Sequence, residues 1–273
     1  MPLNTATDAS GPTRQPAVAG SFYPRTAETL SRTVSTFLAA AQVEARPASL
    51  GVIAPHAGYM YSGAVAAKAF ACVEASPDRF RRAIVVGPAH FVPFKGIAAP
   101  SHTAFVTPLG DMPVDTDTFR SLADEALIVI DDEPHAPEHA LEVELPFVQT
   151  LFGALPIVPL LFGFTSAEAI AAVITRLWTN DTLLIVSSDL SHYDDYETAS
   201  LHDAQTAKAI ETFDEAAIGP ADACGHLAVR AALIAAKRRG LNIERFDLRN
   251  SGDAAGDKRS VVGYGAWAFL SQA

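Results

Sequence analysis

Cysteine is scarce: the chain of 273 residues has two, Cys72 and Cys224. Two thiols cannot build a disulfide framework or a cysteine-rich zinc ribbon. Both sit in apolar helical contexts, AFACVEA and ADACGHLAVRAAL, and read as buried thiols in a reducing compartment. Basic charge is also short. Against 31 Asp and Glu there are 20 Lys and Arg, a formal net charge of −11. That balance argues against nucleic acid as a partner, because non-specific binding needs Lys and Arg to neutralise phosphates. It equally disfavours an anionic membrane surface. No apolar run approaches the roughly 18 residues that span a bilayer. The opening MPLNTATDASGPTRQP lacks the apolar stretch of a secretory signal, so a cytoplasmic protein is expected. Four motifs are missing as well: the G-x-x-x-x-G-K-[ST] phosphate loop, G-x-G-x-x-G after a strand, the G-x-S-x-G elbow and H-E-x-x-H.

What is present is apolar material: 49% hydrophobic residues against 19% charged. That suffices for a large core and excludes a disordered chain. Residues 1–16 are polar and read as a mobile tail, and 17–273 as one domain. Helical spacing marks 27–42, 116–127, 165–178, 197–213 and 221–239. A helix over 63–75 would be capped by Ser62. Another is expected over 138–152, kinked or broken at Pro146. Short apolar runs predict strands at 50–54, 82–87, 127–130, 182–187, 243–248 and 261–269. The turn formers Pro108 and Gly110 predict a hairpin or meander over 96–114. The strand at 155–161 carries prolines and is expected near an edge, or with an irregular end. The alternation predicts an α/β domain with a mixed central β-sheet flanked by helices.

Three of the apolar runs lead into a histidine. LGVIA precedes Pro55-His56, RAIVVG precedes Pro88-Ala89-His90, and TLLIVS precedes Ser188-Asp189-Leu190-Ser191-His192. Open α/β sheets bind ligands outside the carboxyl ends of their strands. If these strands are parallel neighbours, the histidines converge on one crevice, and imidazoles are common metal ligands. A lone histidine after a strand is ordinarily a hydrogen-bonding residue; three at equivalent positions point to a shared metal or catalytic site. Asp189 can ligate, orient a histidine or exchange a proton, or can simply cap the following segment. The segment His135-Ala136-Pro137-Glu138-His139-Ala140-Leu141-Glu142-Val143-Glu144 is dense in His and Glu. His139 is expected to face the crevice, and Glu144 to belong to a solvated acidic helix start. The loop 250–257 offers Asp253 and Asp257, although Asn, Gly and Asp are ordinary turn residues. His102, His202 and His226 look ordinary. Cys224-Gly225-His226 pairs a thiol with a base but lacks a third group to orient it.

These residues carry a family likeness. The pieces are Ala19-Gly20-Ser21-Phe22-Tyr23-Pro24, Ala54-Pro55-His56-Ala57-Gly58-Tyr59 with Tyr61-Ser62-Gly63, Gly87-Pro88-Ala89-His90 and Thr107-Pro108-Leu109-Gly110. Glu138-His139-Ala140-Leu141-Glu142, Ser187-Ser188-Asp189-Leu190-Ser191-His192-Tyr193 and Ser260-Val261-Val262-Gly263-Tyr264 complete the set. In this order they resemble the Memo-like proteins, whose prokaryotic members are called protein B of the AmmeMemoRadiSam system. The resemblance implies a single domain similar to class III extradiol dioxygenases, which are non-haem iron enzymes. It implies metal-site histidines at His56 and His90, with Asp189 and His192 beside them. It also implies a metal-site cysteine in the loop before the final strand, where this sequence has 251–257 and no cysteine. Asp253 or His192 is then expected to complete the shell of a divalent metal, Fe(II) first, with copper or zinc as alternatives. Asp189, His192 and His139 are the candidates for moving protons in an oxidoreductase acting on a small molecule. The rival readings are a non-catalytic peptide- or ligand-binding module and a metal-dependent hydrolase. Other proteins of the AmmeMemoRadiSam system are candidate partners.

Overall fold

A computed structural model describes residues 11–46, 48–73, 79–124 and 127–271. From the N-terminus it forms β1 (Thr13–Arg14), α1 (Ala27–Ala40), β2 (Ser49–Ala54), α2 (Tyr59–Ala71), β3 (Arg82–Pro88), β4 (Ile97–Ala99), β5 (Ala104–Thr107) and β6 (Gly110–Pro113). Then come α3 (Thr116–Asp124), β7 (Val129–Ile130), α4 (Leu145–Phe152), β8 (Ile157–Phe162), α5 (Ala167–Leu177) and β9 (Thr182–Ser187). The last elements are β10 (His192–Asp194), α6 (Tyr196–Glu211), α7 (His226–Arg238), β11 (Asn242–Asn250), α8 (Ser251–Ala255) and β12 (Val261–Leu270).

The spine is a mixed sheet of nine strands in the order β10-β12-β2-β9-β3-β8-β4-β7, with β11 also paired to β12. Its centre, β2-β9-β3-β8, is parallel. The strand sequences SLGVIA, TLLIVS and IVPLLF are buried at every position, as expected for strands covered on both faces. The crossover β2-α2-β3 runs one way along the sheet and β8-α5-β9 runs the other. Right-handed crossovers therefore put α2 and α5 on opposite faces. Helix α1 packs on α2 and α4, and α5 packs on α7. One apolar core runs through both layers, from Tyr23 and Phe70 to Trp267 and Phe269.

The expected strands are found, with differences that have local causes. Helix α2 starts at Tyr59, four residues early, and Ser62 lies inside it, donating to the Ala57 carbonyl at 2.8 Å rather than capping. Residues 74 and 75 of the expected helix lie outside the described residues. The helix expected over 138–152 is a loop, a tight turn at Glu142–Glu144 and then α4. Pro146 sits in the first turn of α4, where no N–H is needed. Strand β8 is interior, between β3 and β4. The Ile157 carbonyl accepts from Asp115 N on the side away from β3, and Pro159 turns its nitrogen to that same side. The β4 ladder reaches only Leu161 and Phe162, so Pro159 has no ladder bond to lose. The hairpin is β5–β6, closed at Thr107 and Gly110; β4 leaves it to join the main sheet. Of the expected tail, 1–10 lie outside the described residues, but Thr13 and Arg14 form β1 beside β5. Arg14 is buried and pairs with Glu142 at 2.6 Å.

Candidate metal centre

Because β9 lies between β2 and β3 and is parallel to both, the three histidine-bearing carboxyl ends meet at one edge of the sheet. Ala54 is level with Ser187, and Val86 with Val186. The segment leaving β9 folds back on the one leaving β2: Asp189 Oδ1 accepts from the His56 backbone N–H at 2.9 Å. His139 arrives from the loop before α4. The ring centroids of His56, His90 and His139 are 5.2, 5.3 and 4.8 Å apart, the last pair stacked. They line a cavity of about 510 Å³ together with Asp189 and His192, and aromatic walls come from Phe22, Tyr61, Tyr193 and Tyr264.

Two sets of donor atoms lie within 4.8 Å of one another among the described residues: His56, His90 and Cys224, and His90, Glu138 and His139. In the first set, His56 has Nδ1 at 2.7 Å from Ser187 Oγ and Nε2 at 3.3 Å from Cys224 Sγ. His90 has Nδ1 at 2.9 Å from Glu138 Oε1. An oxygen thus occupies Nδ1 of each imidazole and leaves Nε2 for a ligand, the arrangement that orients metal-binding histidines. Two imidazoles and a thiol are a chemically sound donor set for a transition metal, so these residues fit one. The second set fits less well. Glu138 already accepts from the backbone N–H groups of His90, His139 and Ala140, which makes it the group that orients His90.

The local charges suit that division. Burial, reinforced by His90 and His139, holds the His56 imidazole well below its ordinary pKa, so it is neutral. Burial pushes the Cys224 thiol up to about 12, and the Asp189 carboxyl adds to this. Cys224 therefore keeps its proton until a cation takes its place. Burial also pushes Glu138 upward, but hydrogen bonds from His139 and His90 outweigh it and leave the carboxyl well below the ordinary range. At Asp189 burial prevails over the backbone hydrogen bonds, and its pKa is raised.

Of the residues singled out from sequence, His56, His90 and His139 come together, and Asp189 and His192 line the same cavity. His192 belongs to neither donor set. Asp253 is elsewhere. It completes a capping box on α8, where Oδ1 accepts from the Tyr196 hydroxyl at 2.8 Å and Oδ2 from Asn250 N–H at 3.0 Å. The place expected for a carboxylate beside His56 and His90 is taken by Cys224, which enters from the loop before α7 rather than the loop before the last strand. Glu138 was not singled out as the partner of His90. Glu144, expected in a solvated helix start, is fully buried. The signal for Cys224 was present in Cys224-Gly225-His226, but its partner is His56, 168 positions away. His135 contacts the Ala98 carbonyl, and His102 and His202 pair with Asp132 and Asp222.

The family model described as Memo-like protein matches residues 14–268. A MEMO1 family protein of Nitrosopumilus maritimus is 32% identical over 94% of this chain and 99% of its own length. One from Aeropyrum pernix is 36% identical over 93% and 98%, and one from Methanosarcina mazei 34% over 93% and 97%. Among solved structures, an uncharacterised protein from Escherichia coli K12 aligns with a TM-score of 0.44 at 12% identity, over 69% of this chain and 86% of that one.

Proposed function

This chain belongs to the Memo-like family, and we propose that it is a metal-dependent, dioxygenase-like oxidoreductase acting on a small molecule in the His56–His90–Cys224 crevice. The observation that carries this reading is the convergence of those three donors at the carboxyl ends of parallel strands, each histidine already tethered through Nδ1. His56, His90 and Cys224 would hold the metal. A bound redox metal supplies a Lewis-acidic centre that exchanges electrons with oxygen and substrate. Oxygen chemistry selects a redox-active ion, so Fe(II) or copper fits better than zinc.

The chain's own groups have the remaining tasks. Asp189 fixes the turn that carries His56. His139, stacked on His90, and His192, in the same cavity lining, would hold or pass a proton at the substrate. Tyr61, Tyr193, Tyr264 and Phe22 give the cavity aromatic walls suited to a small phenolic molecule. Action alongside other AmmeMemoRadiSam proteins belongs to the same proposal, and co-purification tests it.

The deciding experiment compares the metal content of protein purified without chelator with that of the His56→Ala/His90→Ala variant. It then follows oxygen uptake by the Fe(II)- or copper-loaded protein with catechols. Metal lost in the variant and oxygen consumed by the parent support the reading. Equal metal content removes the site. Metal bound with no oxygen uptake leaves a binding module, and anaerobic turnover of an ester or amide by the zinc form makes it a hydrolase.

A further inference from the structure

We propose that Glu144 is a neutral carboxylic acid that donates its proton to the Ser187 hydroxyl, the same group that receives the His56 Nδ1–H. Glu144 is a positioning residue in this scheme and touches neither metal nor substrate.

The argument is a count of protons. Ser187 Oγ has three polar neighbours: the Ala140 carbonyl at 2.6 Å, His56 Nδ1 at 2.7 Å and Glu144 Oε1 at 3.0 Å. A hydroxyl has one proton to give and two lone pairs. The Ala140 carbonyl can only accept, so it takes the proton. Both other neighbours must then donate, His56 as Nδ1–H and Glu144 as Oε1–H. An ionised Glu144 would set a lone pair against a lone pair.

The surroundings of Glu144 agree. The side chain is fully buried, and among the described residues its Oε2 has no hydrogen-bond partner. Leaving a buried carboxylate oxygen without a partner is strongly unfavourable. Burial holds its pKa well above the ordinary carboxylate range, and the neighbouring Asp189 raises it further. Glu142, in the same tight turn, is treated differently: it receives Arg14, the N–H groups of Ala17 and Val18, and the Tyr23 hydroxyl. With the His56 proton on Nδ1, the Nε2 lone pair faces Cys224 Sγ. That is the nitrogen a metal would need, so the part of the proposal about affinity rests on the metal-site reading above.

Metal-free protein provides the test. Infrared difference spectra between wild type and Glu144→Gln at pH 7 are expected to show the C=O stretch of a protonated carboxyl that the variant lacks. Nitrogen NMR is expected to find the His56 proton on Nδ1 in wild type and in E144Q, whose amide still donates. Glu144→Leu removes the donor and leaves one Ser187 lone pair unpaired, while the Ala140 carbonyl still takes the hydroxyl proton, so His56 is expected to keep its proton on Nδ1. With Zn(II) as probe, E144L is expected to bind about 10–100-fold more weakly than wild type, and E144Q to recover most of that loss. Absence of the carboxyl band, or a wild-type His56 proton found on Nε2, overturns the proposal. Should E144L fail to fold, the infrared comparison and the wild-type NMR decide. Wild-type protein that takes up no metal would overturn the metal-site reading instead, while the infrared and NMR results still decide the role of Glu144.

Discussion

His90 is held at two points by one carboxylate. Glu138 accepts from the ring Nδ1 at 2.9 Å and from the backbone N–H at 2.5 Å. The same carboxyl receives the N–H groups of His139 and Ala140, so it sets both the ring and the loop that stacks His139 on it. Charge-assisted bonds of this kind are the strong ones. Glu138→Ala is therefore expected to weaken metal binding by about 10–100-fold, the range for losing a group that orients a ligating histidine. Competition with a chromophoric chelator measures it. An unchanged affinity would show that His90 is positioned without Glu138.

Cys224 gives a prediction about protons. Its thiol is raised to about 12 by burial and by Asp189, while a thiolate is the form that binds metal. Metal uptake at pH 7–8 should thus release about one proton per site. Calorimetry in buffers of different ionisation enthalpy reads this directly. Cys224→Ala should lose both the released proton and most of the affinity. Metal-free protein should alkylate slowly at this position, and rapid alkylation at pH 7 would contradict the raised thiol.

The contrast between His90 and Cys224 shows what was legible in the sequence. Strands buried on both faces must be continuous apolar runs, so RAIVVG and TLLIVS announced themselves, and the histidines after them came along. That β2, β9 and β3 are adjacent follows from long-range pairing, which no local pattern encodes. The contact of Cys224 with His56 spans 168 positions and that of Glu138 with His90 spans 48, so neither residue could be assigned its role from its neighbours. Helix boundaries failed for local reasons. Ser62 resembled a cap but bonds back to Ala57 inside α2. The Glu-rich stretch 138–144 resembled an exposed helix start but is a buried hub. Its burial depends on Arg14, in a segment whose composition suggested a tail.

Asp253 separates the present site from the two-histidine, one-carboxylate pattern. Its carboxyl closes the capping box behind the N-cap Asn250 of α8 and bonds Tyr196, and it is absent from the cavity lining. Asp253→Ala should leave metal content unchanged and lower stability by about 0.5–2 kcal/mol, the usual range for removing a cap. Metal analysis and urea denaturation of the same preparation check both halves. A loss of metal in this variant would return the carboxylate to the site.

Arg14 ties the first strand to the loop that carries Glu138 and His139. Nη1 pairs with Glu142 at 2.6 Å, Nε donates to the His135 carbonyl at 2.8 Å, and Nη2 donates to the Glu138 carbonyl at 2.5 Å. Removing one partner of a buried pair leaves an uncompensated charge, here Glu142. Arg14→Met should therefore destabilise the fold by about 3–5 kcal/mol. Because two of its bonds hold the carbonyls of 135 and 138, the variant should also bind metal less tightly. Denaturant midpoints and the chelator competition measure the two effects. A stable variant with normal affinity would make residues 13–14 the dispensable tail that their composition suggested.

Glu144 gives the clearest dependence on pH. A carboxyl whose folded pKa is raised holds its proton in the native state while the unfolded chain gives it up. Above the ordinary carboxylate pKa the unfolded state then binds fewer protons, and stability falls as pH rises, by about 1.4 kcal/mol per unit for one full proton. The penalty is absent below that ordinary value and stops growing once pH passes the raised folded value. Glu144→Gln removes the ionisation and keeps the donor to Ser187. Relative to wild type, E144Q should therefore be no more stable at pH 4 and progressively more stable as pH rises from 5 toward the raised folded value. Denaturant titrations of metal-free protein across that range measure the difference. A stability gap between the two proteins that does not widen with pH would mean that Glu144 ionises normally.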